Sequence, residues 1–309
     1  MPGFRRLTVT ILAGFALSAA PACAAPRYTG LYCFGDSLTD VGNIYTLSHR
    51  TQPVSPPYSS GRFSNGPVWV QYMAASLGLP VPLPNLNGGT DYAFGGAETG
   101  TTIIHTAAAT DLPNQIQQFV TDTKGVAPAG ALYVVASGAN DLLDTKSATL
   151  TAPQLAQLAK QSAINVSNQV SRLASMGARH ILVMNVPDLA HVPQIKIYAP
   201  IYQQAGTAIA QQFNTQLASS LSPVAASSGA TINIVDIFTL FDTVIANGAA
   251  NGFIDTVNPC WTGNYQSASS GTLCATTTAA QDQFLFWDDL HVTEHGHQIV
   301  AAQAMTILP

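Results

Sequence analysis

What most constrains this chain is an alternation. Short apolar runs recur at residues 30–34, 131–137, 180–186 and 231–236, each ending at a turn signal or at an Asn or Asp, with helix-like stretches between them. Runs this short with no polar face read as strands buried on both sides. The stretch 67–77 opens with Pro67 at a first-turn position, and 113–124, 153–176 and 202–221 carry apolar residues at three- and four-residue steps. Gly177, after Met176, has the character of a helix C-terminal cap. Buried strands alternating with helices predict a central parallel sheet covered on both faces, an α/β fold with right-handed crossovers. No internal repeat, charge block or long Pro-rich linker divides the chain, so residues 25–309 are expected to form one domain. Such sheets hold ligands beyond the carboxyl ends of their strands. Chemistry is therefore expected just after Phe34, Ser137 and Val186, and in whatever C-terminal segment returns to that edge.

The N-terminus stands apart from this pattern. Arg5 and Arg6 precede an apolar stretch from Leu7 to Ala20, and Ala22-Cys23-Ala24 supplies small residues of the kind a signal peptidase reads. Residues 1–24 are expected to be a secretory signal, giving a secreted protein, periplasmic or extracellular, with no integral membrane span after cleavage. The apolar part is shorter than the roughly 20 residues that cross a bilayer. Cleavage removes Cys23 and leaves Cys33, Cys260 and Cys274, an odd number in an oxidising compartment. Cys33 lies in the apolar run Tyr32-Cys33-Phe34 and reads as a buried lone thiol. Cys260 and Cys274 bracket a loop rich in Gly, Ser, Thr and Asn, the kind of segment a disulfide ties down.

The chain carries 11 Lys and Arg against 16 Asp and Glu, a formal charge of -5, and only 9% charged residues. Cations this few and scattered do not neutralise a row of phosphates, which excludes a nucleic-acid partner.

The first predicted strand runs into Gly35-Asp36-Ser37-Leu38-Thr39-Asp40, which puts a serine hydroxyl at a strand-to-helix turn, where a following helix dipole would favour developing negative charge. Ser37 is the candidate nucleophile. The position two after it is Thr39 rather than Gly, which disfavours an α/β-hydrolase elbow. Near the C-terminus, Asp288 and His291 stand three residues apart, a spacing at which a carboxylate holds an imidazole in one tautomer and leaves its other nitrogen free to take a serine proton. Ser137-Gly138-Ala139-Asn140-Asp141 offers the Asn140 amide as an oxyanion donor. Tyr92-Ala93-Phe94-Gly95-Gly96-Ala97 offers backbone N–H groups open to close approach by a substrate. Asp40, Asp141 and Asp236 read as turn or capping groups.

Four separated blocks in this order resemble the GDSL lipolytic enzymes of the SGNH hydrolase superfamily. They are Gly35-Asp36-Ser37-Leu38 with Thr39-Asp40-Val41-Gly42-Asn43, the Tyr92 to Ala97 stretch, Gly138-Ala139-Asn140-Asp141, and Asp288-Asp289-Leu290-His291; Gly61-Arg62-Phe63-Ser64-Asn65-Gly66-Pro67 is similar to what commonly follows the first. The resemblance implies a flavodoxin-like three-layer α/β/α fold. It implies ester hydrolysis by Ser37, His291 and Asp288, with an oxyanion hole from the Ser37 and Gly96 backbone and the Asn140 side chain. Gly95 is the rival to Gly96, and Asp289 to Asp288, where the family spacing Asp-x-x-His selects Asp288.

The expected activity is that of a carboxylic ester hydrolase working through an acyl-enzyme, with water or another alcohol as acceptor, on a small-molecule or lipid ester, and with no organic cofactor or metal. Phospholipid or lysophospholipid, choline ester, acetylated carbohydrate and short-chain ester remain open as substrates. Ile103-Ile104 and Leu142-Leu143 are expected in the core rather than in an acyl pocket. Two readings from other classes compete. His291-Val292-Thr293-Glu294-His295 formally matches the His-x-x-Glu-His of an inverted zincin, but Thr293 reads as the helix cap, which puts His291 in the preceding loop. The other is a binding module of the same fold without catalysis.

Overall fold

The structure, a computed structural model, describes residues 27–144, 150–196 and 200–308. The expected signal segment 1–24, Cys23 included, lies outside the described residues.

Four strands form a parallel sheet in the order β1 (Leu31–Gly35), β2 (Leu132–Ala136), β3 (His180–Met184), β4 (Thr231–Val235). The register pairs Leu31 with Leu132, Leu132 with His180 and His180 with Thr231. The free side of β1 is occupied too. Cys33 donates its N–H to the Thr90 carbonyl and accepts from Tyr92 N–H, a parallel bridge centred on Asp91. This edge segment was not legible as a strand. The chain thus passes from β1 to the Asp91 segment on one side and then back to β2 on the other, and a cleft lined by Ser37, Asn140 and Pro187 lies beyond the carboxyl ends of β1, β2 and β3.

Helices are α1 (Asn43–Leu47), α2 (Trp69–Ser76), α3 (Leu112–Thr123), α4 (Ala139–Leu143), α5 (Ala152–Ser175), α6 (Pro193–Lys196), α7 (Pro200–Ser228), α8 (Ile237–Ala246), α9 (Thr278–Gln281) and α10 (Glu294–Ile307). Alternate strand residues feed two cores. Phe34, Tyr133, Val135, Ile181 and Val183 pack with α3, α5 and α7, whereas Cys33, Leu132, Val134, Leu182, Met184 and Val235 pack with α2, α8 and α10. The result is the expected three-layer α/β/α arrangement. Burial on both faces explains why β1 to β3 read as nearly continuous apolar runs, whereas β4, at the end of the sheet, is only partly buried and admits Thr231 and Asn233.

Details of the helix ends differ. Pro67 lies outside α2, which starts at Trp69 with Val68 as its cap. The helix expected to stop at 221 continues through Pro223 to Ser228, with Val224, three residues after Leu221, still packed against the core. Gly177 does terminate α5: its N–H bonds the Ala174 carbonyl and Ala178 N–H bonds Leu173, a Schellman pair. Two further strands, β5 (Asp255–Pro259) and β6 (Phe284–Phe286), make a small parallel unit. Cys260 and Cys274 are disulfide-bonded beside it, while Cys33 is a buried free thiol.

Candidate active site

Ser37 follows β1 in a tight turn rather than in a helix. Asp36 accounts for this: its carboxylate takes Leu38 N–H at 3.1 Å, and its carbonyl takes the N–H groups of Thr39 and Asp40. Helix α1 begins only at Asn43, so the expected helix dipole directly behind Ser37 is absent. Asp40 serves as the turn anion instead. It accepts from Gly42, Asn43 and Ile44 N–H at the start of α1, and across the site from Gly95 N–H at 2.9 Å.

His291 lies 254 residues downstream, in the loop between β6 and α10. Thr293 caps α10, its hydroxyl accepting from Gly296 N–H, and this fixes His291 outside the helix. His291 Nε2 stands 2.9 Å from Ser37 Oγ, and its Nδ1 stands 2.8 and 2.9 Å from the two carboxylate oxygens of Asp288. Asp288 Oδ1 also accepts the backbone N–H of Leu290 and His291, and Oδ2 accepts the Tyr58 hydroxyl at 2.6 Å. Asp288 and His291 are buried. Burial pushes the Asp288 carboxyl up, but His291, the Tyr58 hydroxyl and the Leu290 amide outweigh it and hold it below the usual carboxylate range. Burial pushes the His291 imidazole down, and Asp288, with Asp289 and Asp36 behind it, outweighs that, so His291 sits above its ordinary value. Asp36, beside Ser37, is pushed up to about 7 by burial, partly offset by Leu38 N–H and His291.

The two glycines of the second block have different environments. Gly95 N–H is engaged by Asp40, and a Cβ on Gly95 would strike the Phe63 ring at 2.4 Å. Gly96 has φ +77°, which favours glycine, and a Cβ there would meet nothing within 4 Å. Among the described residues no protein acceptor takes the N–H of Ser37 or of Gly96. Asn140, in the first turn of α4 after β2, donates one Nδ2 proton to the Ala97 carbonyl at 2.9 Å and keeps the other. A cleft beside Ser37 and His291 is lined by Leu38, Leu143, Leu189, Val192 and Leu290. Leu143 thus lines the cleft as well as the core and Leu142 is core, whereas Ile103, exposed, and Ile104, half-buried, lie outside the core in which they were expected.

The zincin arrangement does not assemble. His295 Nε2 donates to the Asn251 carbonyl, 2.9 Å away, while both His291 nitrogens face Asp288 and Ser37. Among the described residues, the group of side chains spaced to share a metal ion is Asp188, His191 and Asp242, which includes neither. His297, in the first turn of α10, is buried, and burial pushes it down to about 3.

A sequence profile described as GDSL-like Lipase/Acylhydrolase matches residues 31–304. The chain belongs to that family. Ester-hydrolysing serine hydrolases make up the GDSL family, which gives the enzyme class of this member. Among its relatives, the thermolabile hemolysin of Vibrio parahaemolyticus is 27% identical over 88% of this chain and 62% of its own length, so this chain spans less than two thirds of that protein. The phosphatidylcholine-sterol acyltransferase of Aeromonas hydrophila is 28% identical over 97% of this chain and 96% of its own. A lipolytic G-D-S-L family protein from Veillonella parvula has a structure similar to this GDSL chain, with TM-score 0.45 and 14% identity over 90% of this chain and 97% of that one.

Within this GDSL chain, sequence reasoning missed the surroundings of the family blocks. Tyr58 comes from a Pro- and Ser-rich loop with no periodic signal, 230 residues from the carboxylate it touches. Phe63 lies against the His291 ring at 5.2 Å. Its place in the Gly61 to Pro67 block was the one available sign. Asp236 behaves as expected, capping α8 through Thr239 N–H. Among the described residues, no helix is long and apolar enough to cross a membrane.

Proposed function

We propose that this protein is a secreted carboxylic ester hydrolase, with residues 1–24 a cleaved signal and 25–309 a single hydrolase domain, in which Ser37, His291 and Asp288 act in sequence. The observation that carries the reading is the continuous line from Ser37 Oγ to His291 Nε2 at 2.9 Å and from His291 Nδ1 to Asp288 at 2.8 Å. In that line Asp288 keeps the proton on Nδ1, so Nε2 has a free lone pair facing the serine. His291 takes the Ser37 proton as Oγ attacks the ester carbonyl. The carbonyl oxygen gains negative charge where the Ser37 and Gly96 N–H groups and the spare Asn140 Nδ2 proton are available as donors. His291 then returns its proton to the departing alcohol. Water, deprotonated by the same imidazole, attacks the acyl carbonyl, and His291 passes that proton to Ser37 Oγ as the acid leaves.

The apolar wall of Leu143, Leu189, Val192 and Leu290 supports an acyl chain lying beside the nucleophile. Acyl transfer to an alcohol is a second reading, supported by the acyltransferase name of the Aeromonas relative, which aligns over nearly its whole length. A series of p-nitrophenyl esters of increasing chain length, run beside lysophospholipid with and without an added alcohol, tests both. Turnover that rises with an apolar chain is expected. Hydrolysis of none of these esters by the folded protein contradicts the reading. N-terminal sequencing of exported protein is expected to start at or near Ala25, and a membrane-bound product retaining Arg5 and Arg6 contradicts the signal.

A further inference from the structure

Resting on the reading that Ser37, His291 and Asp288 carry the reaction, we propose that Tyr58 is a positioning residue of the triad, its buried hydroxyl fixing the Asp288 carboxylate in line with His291.

The argument starts from the donors around Asp288. Oδ1 is held by its own loop, through Leu290 N–H at 2.8 Å and His291 N–H at 2.7 Å. Oδ2 has the imidazole and, from elsewhere in the chain, the Tyr58 hydroxyl at 2.6 Å. Without that hydroxyl, Oδ2 is a buried anionic oxygen whose remaining partner among the described residues is the imidazole it is meant to orient, and Asp288 is left with donors from its own loop. An isolated anionic oxygen in so dry a place is costly, which makes the tyrosine more than filler.

The tyrosine is itself held rigidly. Its ring meets Trp287 edge-on at 5.8 Å, in a buried cluster with Cys260 and Trp261. Cys260 and Trp261 donate their N–H groups to the carbonyls of Phe286 and Trp287, the two residues that lead into Asp288. Val54 N–H bonds the Tyr265 carbonyl and so ties the tyrosine's loop to the segment closed by the Cys260–Cys274 bridge. Donor and acceptor are thus anchored to the same small unit of β5 and β6, although far apart in the chain. Burial and the Asp288 charge push the Tyr58 hydroxyl far up, so it remains a neutral donor wherever His291 works.

Two signatures follow that lost packing alone does not give. The hydroxyl absorbs part of the carboxylate's charge. Without it, Asp288 stabilises imidazolium more strongly, and the acid limb of the pH profile moves to higher pH. At the plateau, the looser aim of the imidazole lowers kcat and leaves substrate binding alone.

The experiment is Tyr58→Phe in the full chain, assayed with a p-nitrophenyl ester across pH and repeated in an Asp288→Ala background. Phe keeps the ring against Trp287. A kcat lower by roughly tenfold is expected, with KM nearly unchanged and the acid limb displaced upward, while the same substitution costs nothing further in the Asp288→Ala background. A wild-type kcat and limb, or an equal loss in both backgrounds, overturns the proposal. Should Tyr58→Phe fold poorly, fluorotyrosine incorporated at position 58 keeps the shape and strengthens the donor. The limb is then expected to move downward, and an unmoved limb overturns the proposal. An active Ser37→Ala protein refutes the triad itself, whereas an inactive Ser37→Ala beside an unaffected Tyr58→Phe refutes only the role of Tyr58.

Discussion

The Asp141 carboxylate takes both the backbone N–H of Thr99, at 3.0 Å, and its hydroxyl, at 2.6 Å. This clamp joins helix α4, which follows β2 and carries Asn140, to the segment that carries Gly96. The two groups proposed as outer oxyanion donors are therefore held at a fixed spacing by a residue that contacts neither Ser37 nor His291. Asp141→Ala is expected to lower kcat by roughly tenfold or more with KM little changed, because small misplacements of oriented groups are costly. It is also expected to destabilise the fold by about 2 kcal/mol in urea unfolding, since a buried N–H loses its charged acceptor. Wild-type kcat in a folded Asp141→Ala protein contradicts the clamp.

Asn140→Ala removes one of the proposed oxyanion donors and the bond to the Ala97 carbonyl. Turnover is expected to fall by roughly 100-fold or more while binding is mostly kept. Steady-state kinetics separate the cases: a rise in KM with unchanged kcat makes Asn140 a binding residue instead.

The pH profile follows from the direction of the His291 shift. His291 acts as a base only when neutral, and its environment favours the protonated form, so activity is lost on acidification with a midpoint above the ordinary imidazole value of about 6.5. Asp288, held low, stays ionised through that range. Asp36 contributes to raising His291, so Asp36→Asn is expected to move the limb downward. A wild-type limb below the ordinary imidazole range, measured as kcat/KM against pH, contradicts this electrostatic picture.

The Cys260–Cys274 bridge closes a segment with a sequence separation of 14. Its removal by Cys260→Ala with Cys274→Ala is expected to cost on the order of 3 kcal/mol through the gain in unfolded-chain entropy. Peptide mapping without reduction is expected to find these two residues joined and Cys33 as the free thiol; alkylation of both as free thiols rejects the bridge.

Strands β1 to β3 were legible because burial on both faces leaves their runs nearly unbroken by polar residues, β4 because Ile232, Ile234 and Val235 keep it mostly apolar at the sheet edge, and α5 because its glycine stop is local. The edge segment at Asp91 was not, since one bridge beside glycines and prolines leaves no period to read. Ser37, Asn140, Asp288 and His291 announced themselves through short spacings and the blocks around them. Their supports are contacts between distant loops: Gly95 to Asp40, Thr99 to Asp141, and Tyr58 to Asp288. Nothing in a linear pattern encodes such pairs. The helix expected directly behind the Ser37 turn starts only at Asn43, because Asp36 and Asp40 draw the backbone N–H groups into turn bonds that propensity does not register.

The most direct measurement is the reaction of the intact protein with a fluorophosphonate, followed by peptide mapping and by hydrolysis assays of Ser37→Ala. One label on Ser37 is expected, lost together with ester hydrolysis in the Ser37→Ala protein, while the activity of the unmodified enzyme survives a chelator. Ester hydrolysis by Ser37→Ala at the wild-type rate, or chelator-sensitive activity restored by metal with no label at Ser37, contradicts the serine mechanism.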